Sequence, residues 1–165
     1  GWGVTSKLVV VPGEGEKNRL YAEAHERVLR AVGGERDVVA RMATTVAVLH
    51  GMMPHFYWTG FYRVIGGELV IGPYQGTPAC LRIALGRGVC GMAWEAGVTQ
   101  VVGNVDEVPN HIACDARSAS EIVVPVSGPG GGVTALLDVD SSEPGAFGAV
   151  DRAGLERLLG AVFGC

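Results

Sequence analysis

The sequence predicts an α+β domain: an antiparallel sheet of approximately six strands, with helices packed on one face and a loop-covered ligand pocket on the other. Two observations predict this class. Segments with helical periodicity stand at both ends of the chain, and strand-like runs joined by short glycine turns lie between them. A length of 165 residues fits one domain over 1–165, with a core over about 16–163 and an N-terminal extension over 1–15.

Composition limits the classes of partner. The net charge is -4, from 13 basic and 17 acidic residues, and no basic cluster stands out, so we expect neither nucleic acid nor a membrane as partner. Apolar stretches are much shorter than the roughly 20 residues of a membrane-crossing helix. Nothing at the start resembles a secretion leader, which predicts a cytoplasmic location. The oligomeric state stays open, with a homodimer as one candidate.

The first elements are two helices and a hairpin. Residues 16–32 predict a helix, because apolar side chains from Tyr21 to Val32 recur at helical spacing. Asp37 is a suitable N-cap for a second helix, which Pro54 ends. Residues 56–65 and 68–74 are rich in aromatic and β-branched types, and the two glycines between them predict a hairpin.

The middle of the chain is less regular. Residues 80–85 predict one short extended piece, and 88–96 a short helix that Gly97 ends. Residues 99–102 predict a short strand. Residues 104–119 have no convincing period, and a loop that long inside a domain is usually functional or disordered. This loop contains Cys114.

The last two strands carry an informative alternation. In the runs 121–126 and 133–140, every second residue is apolar, which leaves Glu121, Asp138 and Asp140 together on the opposite face. If the apolar face packs on helices, these carboxyl groups project from the far side of the sheet. Asp151 is then expected to cap a final helix that carries Leu155.

These residues predict a small-molecule pocket with thiol chemistry. A thiol on a loop above a cavity can be both reachable and activated, which favours Cys114. Asp138 and Asp140, at i and i+2 on one strand, lie roughly 6–7 Å apart and can address one cationic or protonated group. Carboxyl groups that lie this close also raise each other's pKa, so that one of them can hold a proton near neutral pH. Trp58 and Tyr62 share a strand face and are expected to form part of the wall.

Simpler interpretations stay open from the residues alone. Cysteines inside proteins are often inert and buried, strand carboxylates are often solvated, and His111 is interpreted as a loop residue without a role. A metal site built from Cys80, Cys90, Cys114 and His111 is conceivable. We predict no metal, because the cysteines include no C-x-x-C pair and are spread over irregular segments.

Seven segments together carry a family resemblance. In chain order they read YWTGFY (57–62), LVIGPYQG (69–76), AC (79–80), GRGVCG (86–91), HIACD (111–115), SEIVVP (120–125) and LDVDS (137–141). They strongly resemble the free methionine-(R)-sulfoxide reductases, which are single-domain enzymes of the GAF fold. The likeness extends over roughly 21–159, nearly the whole chain. The resemblance therefore implies a GAF fold.

The resemblance also implies roles for the thiols. Cys114 matches the family's nucleophile, and Cys80 matches the cysteine that most often resolves the sulfenic acid as a disulfide. Cys90 matches a third cysteine whose role is less uniform, so the choice of resolving thiol between Cys80 and Cys90 stays open. Cys165 lies outside the motifs, and we assign it no role.

The matched pocket residues imply how a substrate binds. Glu121 and Asp140 match carboxyl groups that engage the sulfoxide, and Asp138 matches one that helps to bind the amino group. Trp58 and Tyr62 match aromatic residues around the methyl end.

The implied activity is reduction of free L-methionine (R)-sulfoxide to L-methionine. The matched cysteines imply a sulfenic acid and an intramolecular disulfide as intermediates, with thioredoxin as the external reductant and no bound cofactor. Two alternatives stand beside this activity: a non-catalytic GAF-type sensor of small molecules, and a redox-regulated binding module.

Overall fold

The computed structural model describes residues 9–109, 111, 114 and 117–164, and these form an α+β fold around one six-stranded antiparallel sheet. The strand order is β3-β2-β1-β6-β5-β4. In chain order the elements are α1 (Glu14–Val32), α2 (Val38–Met52), β1 (Trp58–Ile65), β2 (Glu68–Gln75), β3 (Arg82–Ile83), α3 (Gly88–Ala96), β4 (Gln100–Val102), a 3₁₀ turn (Val105–Glu107), β5 (Ser120–Ser127), β6 (Val133–Ser141) and α4 (Ala149–Phe163). The predicted fold class is confirmed.

Strand register brings the three predicted carboxyl groups to one face. Glu121 of β5 pairs with Asp140 of β6, and Asp140 also pairs with Trp58 of β1 on its other side. Asp138 lies two residues before Asp140 and therefore projects from the same face. The alternation in the sequence predicts this arrangement, and the pairing confirms it.

The other face of the sheet packs on α2 and α4, and α1 packs against these two helices. Phe61 is fully buried in this core with apolar side chains of β5 and β6, among them Val124 and Leu137. Burial of each such side chain contributes about 1.5–3 kcal/mol. In the described part of the chain, no helix is both long and apolar enough to cross a membrane.

Helix α3 lies on the pocket face, where the sequence predicts only loops as cover. Its residues Val89, Cys90 and Ala93 are buried in a second apolar cluster with Tyr62 and Leu136. Gly97 ends the helix in the left-handed conformation, as predicted. The pocket is therefore walled by a helix as well as by loops, which gives one side of it a fixed shape.

Asp151 has a larger structural role than the predicted N-cap. Helix α4 begins before it, with Gly148 as the N-cap residue, and the Asp151 carboxylate accepts a hydrogen bond from the Gly148 backbone N–H. The same carboxylate accepts from Lys17 Nζ at 2.6 Å, Tyr21 Oη at 2.7 Å and His55 Nε2 at 2.8 Å. Asp151 thus ties α1 and the segment before β1 to the start of α4.

We expect Asp151→Asn to destabilise the fold strongly. The hydrogen bonds hold the pKa of the Asp151 carboxyl at about 2, below its ordinary value, against the opposing effect of burial. Its contribution to stability is therefore complete above about pH 4 and is lost as the pH falls through about 2. Removal of one partner from a buried ion pair costs about 3 kcal/mol or more.

Denaturant unfolding at pH 7 and at pH 3 measures this loss. Glu23→Gln is the matched control, because the Glu23–Arg27 pair is about half exposed. We expect that control to change the free energy of unfolding by less than about 0.5 kcal/mol. Equal unfolding free energies for Asp151→Asn and Glu23→Gln at pH 7 would contradict the assigned role.

Candidate active site

A pocket of about 560 Å³, partly open to solvent, lies between the sheet, α3 and the loop after β4. Its lining contains seven of the eight residues that the sequence analysis selects, and the eighth is bonded to one of them. They are Trp58, Tyr62, Cys90, Cys114, Glu121, Asp138 and Asp140, which line the pocket directly, and Cys80, whose neighbour Ala79 lines it and whose sulfur is bonded to that of Cys114. The selected residues therefore come together at one site.

The carboxyl groups at the base of the pocket form a hydrogen-bonded set. Glu121 and Asp138 are each only 6% exposed. Burial raises the pKa of Glu121 well above its ordinary value, and the charges of Asp138 and Asp140 raise it further. Burial also raises the pKa of Asp138, although hydrogen bonds donated by Glu121 and Cys90 oppose that shift. Within this set the hydrogen bonds therefore favour the proton on Glu121 rather than on Asp138.

One carboxylate oxygen of this set has no partner. Asp138 Oδ1 is buried and accepts no hydrogen bond from the residues that the structure describes. A buried acceptor left unpaired costs about 1–3 kcal/mol. This oxygen therefore indicates that a ligand donates to it.

Cys80 and Cys114 are joined by a disulfide bond, with their Cα atoms 5.6 Å apart and a separation of 34 positions in the chain. The Tyr62 O–H donates to the Cys80 carbonyl at 2.9 Å, and burial raises the Tyr62 pKa, which keeps the hydroxyl a donor. Cys114 is exposed and Cys80 half-buried. With both sulfurs in the disulfide, the four-ligand metal site considered for the sequence is not available in this oxidation state.

Cys90 is a free, buried thiol at the start of α3. It is 4% exposed and donates a hydrogen bond to Asp138. Burial raises its pKa well above the ordinary value, with Asp138 and Glu121 adding to the shift. The raised pKa makes the Cys90 thiol much harder to ionise than an exposed thiol. A catalytic role for Cys90 therefore stays a prediction.

The Trp58 indole forms the aromatic wall. Its ring stacks on Tyr74 at 5.4 Å between centroids and on Tyr62 at 6.3 Å, and its Nε1 donates to the Thr77 carbonyl at 2.9 Å. These contacts hold the ring at the edge of the pocket, on the face that the i, i+4 spacing predicts.

Two glycines that the sequence analysis leaves without a role make room for this ring. A Cβ on Gly60 would lie 2.5 Å from Trp58 Cη2, and one on Gly76 would lie 2.6 Å from Trp58 Cδ1. Both distances are below van der Waals contact, and Gly76 also has a φ of +128°. No local sequence pattern indicates the need for a small residue at these two positions.

We expect Gly60→Ala to displace Trp58 and to lower the free energy of unfolding by about 1–3 kcal/mol, the usual cost of overpacking. Denaturant titration measures the difference. Gly132→Ala is the matched control, because a Cβ there meets nothing within 4 Å. The same loss of stability in both variants would refute the packing argument.

Positively polarised groups line another part of the pocket, and sequence reasoning missed them. The first turn of α3 has no side-chain cap, and its residues Gly88, Val89 and Cys90 line the pocket beside Arg87. Free backbone N–H groups at a helix start attract anions. His111 also lines the pocket, and its charge lowers the pKa of Asp138. His111 lies in a loop, as the sequence analysis interprets it, and its position at the pocket adds to that interpretation.

A metal ion is one ligand that the described donors could hold. Ligand atoms of Cys90, Glu121 and Asp138 all lie within 4.8 Å of one another. Among the described residues, no other group of three or more such side chains is close enough to bind a metal. The carboxyl groups together can also bind a cationic or hydrogen-bond-donating organic group.

Comparisons with known proteins identify relatives over most of the chain. No model of a protein family matches the chain. The free methionine-R-sulfoxide reductase of Escherichia coli (strain K12) is 38% identical over 143 residues, which are 87% of this chain and 86% of that protein. The structure of free methionine-R-sulfoxide reductase from Neisseria meningitidis in complex with its substrate is 41% identical, with a TM-score of 0.87, over 96% of this chain and 94% of that one.

A third similar protein carries a different description. The structure of a GAF sensor protein from Burkholderia vietnamiensis is 45% identical with a TM-score of 0.85, over 89% of this chain and 93% of that one. The fold is therefore shared across both descriptions. On identity and coverage, the chain belongs to the free methionine-R-sulfoxide reductase family and has the GAF fold.

Proposed function

We propose that the chain reduces free L-methionine (R)-sulfoxide to L-methionine through Cys114, with Cys80 as the resolving thiol and thioredoxin as the external reductant. The observation that carries this proposal is the disulfide between Cys80 and Cys114 at the mouth of a pocket whose base holds Glu121, a carboxyl group whose pKa burial raises. Substrate complexes of related reductases support the substrate class.

The charge pattern of the pocket suits a free amino acid. Asp138 offers the buried, unpaired Oδ1 to the α-ammonium group. Arg87 and the uncapped start of α3 offer positive charge and N–H groups to the α-carboxylate. Trp58 and Tyr62 supply apolar surface for the methyl end. A residue inside a polypeptide has neither terminal charge, so it would leave these groups unsatisfied.

The first step uses the acid at the base of the pocket. Sulfoxide sulfur is a poor electrophile until its oxygen accepts a proton, and Glu121 supplies that proton with Asp140 as its strand partner. The Cys114 thiolate then attacks sulfur. The sulfoxide oxygen ends on Cys114 as sulfenic acid, and the substrate sulfur gains two electrons and leaves as the thioether of methionine.

The second step closes the cycle. The Cys80 thiolate attacks the Cys114 sulfur, hydroxide leaves and takes a proton to become water, and the disulfide forms. The Cα separation of 5.6 Å is within the ordinary range for such a bond. The dithiol of thioredoxin then attacks the exposed disulfide, takes over the bond and returns both protein thiols to the reduced state.

The test is a product assay with both epimers of free methionine sulfoxide. The reduced protein is supplied with thioredoxin and its reductase, and methionine is quantified by chromatography. We expect sustained production from the R epimer and none from the S epimer or from a sulfoxide within a peptide. Tight binding of the R epimer without methionine release would instead support a GAF-type sensor.

A further inference from the structure

Cys90, Glu121 and Asp138 form a compact group of one sulfur and several oxygen donors at the base of the pocket. One ligand atom from each lies within 4.8 Å of the other two. The side chains come from three separate elements, α3, β5 and β6, so the fold holds each donor independently. All three residues are at most 6% exposed, which leaves little water to compete for a ligand.

The unpaired oxygen of Asp138 is a second observation that points to a cation. Asp138 as a whole is 6% exposed, and its Oδ1 has no hydrogen-bond partner in the described part of the chain. The other neighbours are a thiol and a carboxyl group, which can both lose a proton and bind a metal. Burial and mutual repulsion raise the pKa of Cys90 and of Glu121, and a dication would relieve that repulsion.

The mixture of donors selects the type of metal. Ca²⁺ and Mg²⁺ prefer oxygen alone, whereas Zn²⁺ binds thiolate, imidazole and carboxylate together in four-coordinate sites. We propose that Cys90, Glu121 and Asp138 bind a single Zn²⁺ ion, with the fourth position open to water. This site uses neither Cys80 nor Cys114, so it is available while they form the disulfide. It departs from the expectation of no metal and goes beyond the proposed reductase function. Because that function uses Glu121 and Asp138 to bind the substrate, Zn²⁺ and the substrate would exclude each other from the pocket.

The test titrates the disulfide form of the full chain with Zn²⁺ alone by calorimetry, in a Cys165→Ser background that leaves Cys90 as the single thiol. We expect one Zn²⁺ per chain. A parallel titration with Co²⁺ alone is expected to give a sulfur-to-metal charge-transfer absorption band. Cys90→Ser should abolish that band and weaken Zn²⁺ binding by about 100-fold or more, at least the loss seen when a supporting group is removed.

Two further variants make the result decisive. Asp138→Asn tests an oxygen ligand and carries the test if Cys90→Ser does not fold, as judged by circular dichroism. His25→Ala removes a half-buried imidazole on α1, outside the pocket, and should leave binding unchanged. No binding by the parent, or undiminished binding in the folded variants of Cys90 and Asp138, would overturn the proposal. Neither outcome depends on turnover, so the proposed reductase function is tested separately.

Discussion

Cys114→Ser is expected to abolish reduction of free methionine (R)-sulfoxide, with a loss of at least about 10⁴-fold in kcat, the scale on which nucleophile removal acts in other enzymes. A serine hydroxyl is hardly ionised at neutral pH and cannot carry the sulfoxide oxygen as a sulfenic acid. The buried Cys90 thiol is a poor substitute, because burial and the nearby carboxyl groups raise its pKa. The measurement is methionine released per chain with thioredoxin in excess.

The matched control for this variant is Cys165→Ser, which removes a thiol outside the seven segments that carry the family resemblance and should retain full activity. Circular dichroism checks the fold of Cys114→Ser. We expect this variant to fold, because Cys114 is exposed and its disulfide with Cys80 is proposed to form and break during catalysis. Multiple turnovers by Cys114→Ser would show that another thiol performs the attack.

Glu121→Gln is expected to lower kcat by about 10²–10³-fold, within the range that a general acid contributes. Glutamine keeps the shape of the side chain and can donate a hydrogen bond, but it has no acidic proton to transfer. For the parent protein, the rate should fall as the pH rises through the raised pKa of Glu121, since only the protonated form donates. The variant should lack that decline. An unchanged kcat and pH profile would exclude Glu121 as the acid.

Stability separates loss of chemistry from loss of fold in this variant. Because the pKa of Glu121 in the folded protein lies above its unfolded value, its contribution to stability is complete below about pH 4.5 and is lost as the pH rises through the folded pKa. Glutamine does not titrate. We therefore expect Glu121→Gln to be at least as stable as the parent at pH 8, measured by denaturant unfolding, with Glu68→Gln as an exposed control.

Much of this site was predictable from local pattern. The alternation along β5 and β6 needs only the two-residue period of a strand, and it assigns Glu121, Asp138 and Asp140 to one face before any partner strand is known. The spacing of Trp58 and Tyr62 follows the same rule. The pairing of Cys80 with Cys114 is different in kind. The two cysteines are 34 positions apart with helix α3 between them, and only the family resemblance indicated their pairing.

Other features depend on contacts that no local pattern contains. Gly60 and Gly76 are 16 positions apart, yet both lie against the Trp58 ring. Helix α3 was predicted within its observed bounds, but its side of the sheet depends on long-range packing of Cys90 and its neighbours. In the sequence, Asp151 resembles an ordinary N-cap. In the structure it lies inside the helix and accepts hydrogen bonds from three side chains that are distant in the chain.

The most direct measurement of the central claim uses Cys80→Ser, which retains the proposed nucleophile and removes the resolving thiol. The reduced variant is mixed with excess free methionine (R)-sulfoxide, and a diketone label specific for sulfenic acids is located by peptide mass spectrometry. We predict one methionine per chain and the label on Cys114. A label on Cys90, or no methionine at all, would contradict attack by Cys114.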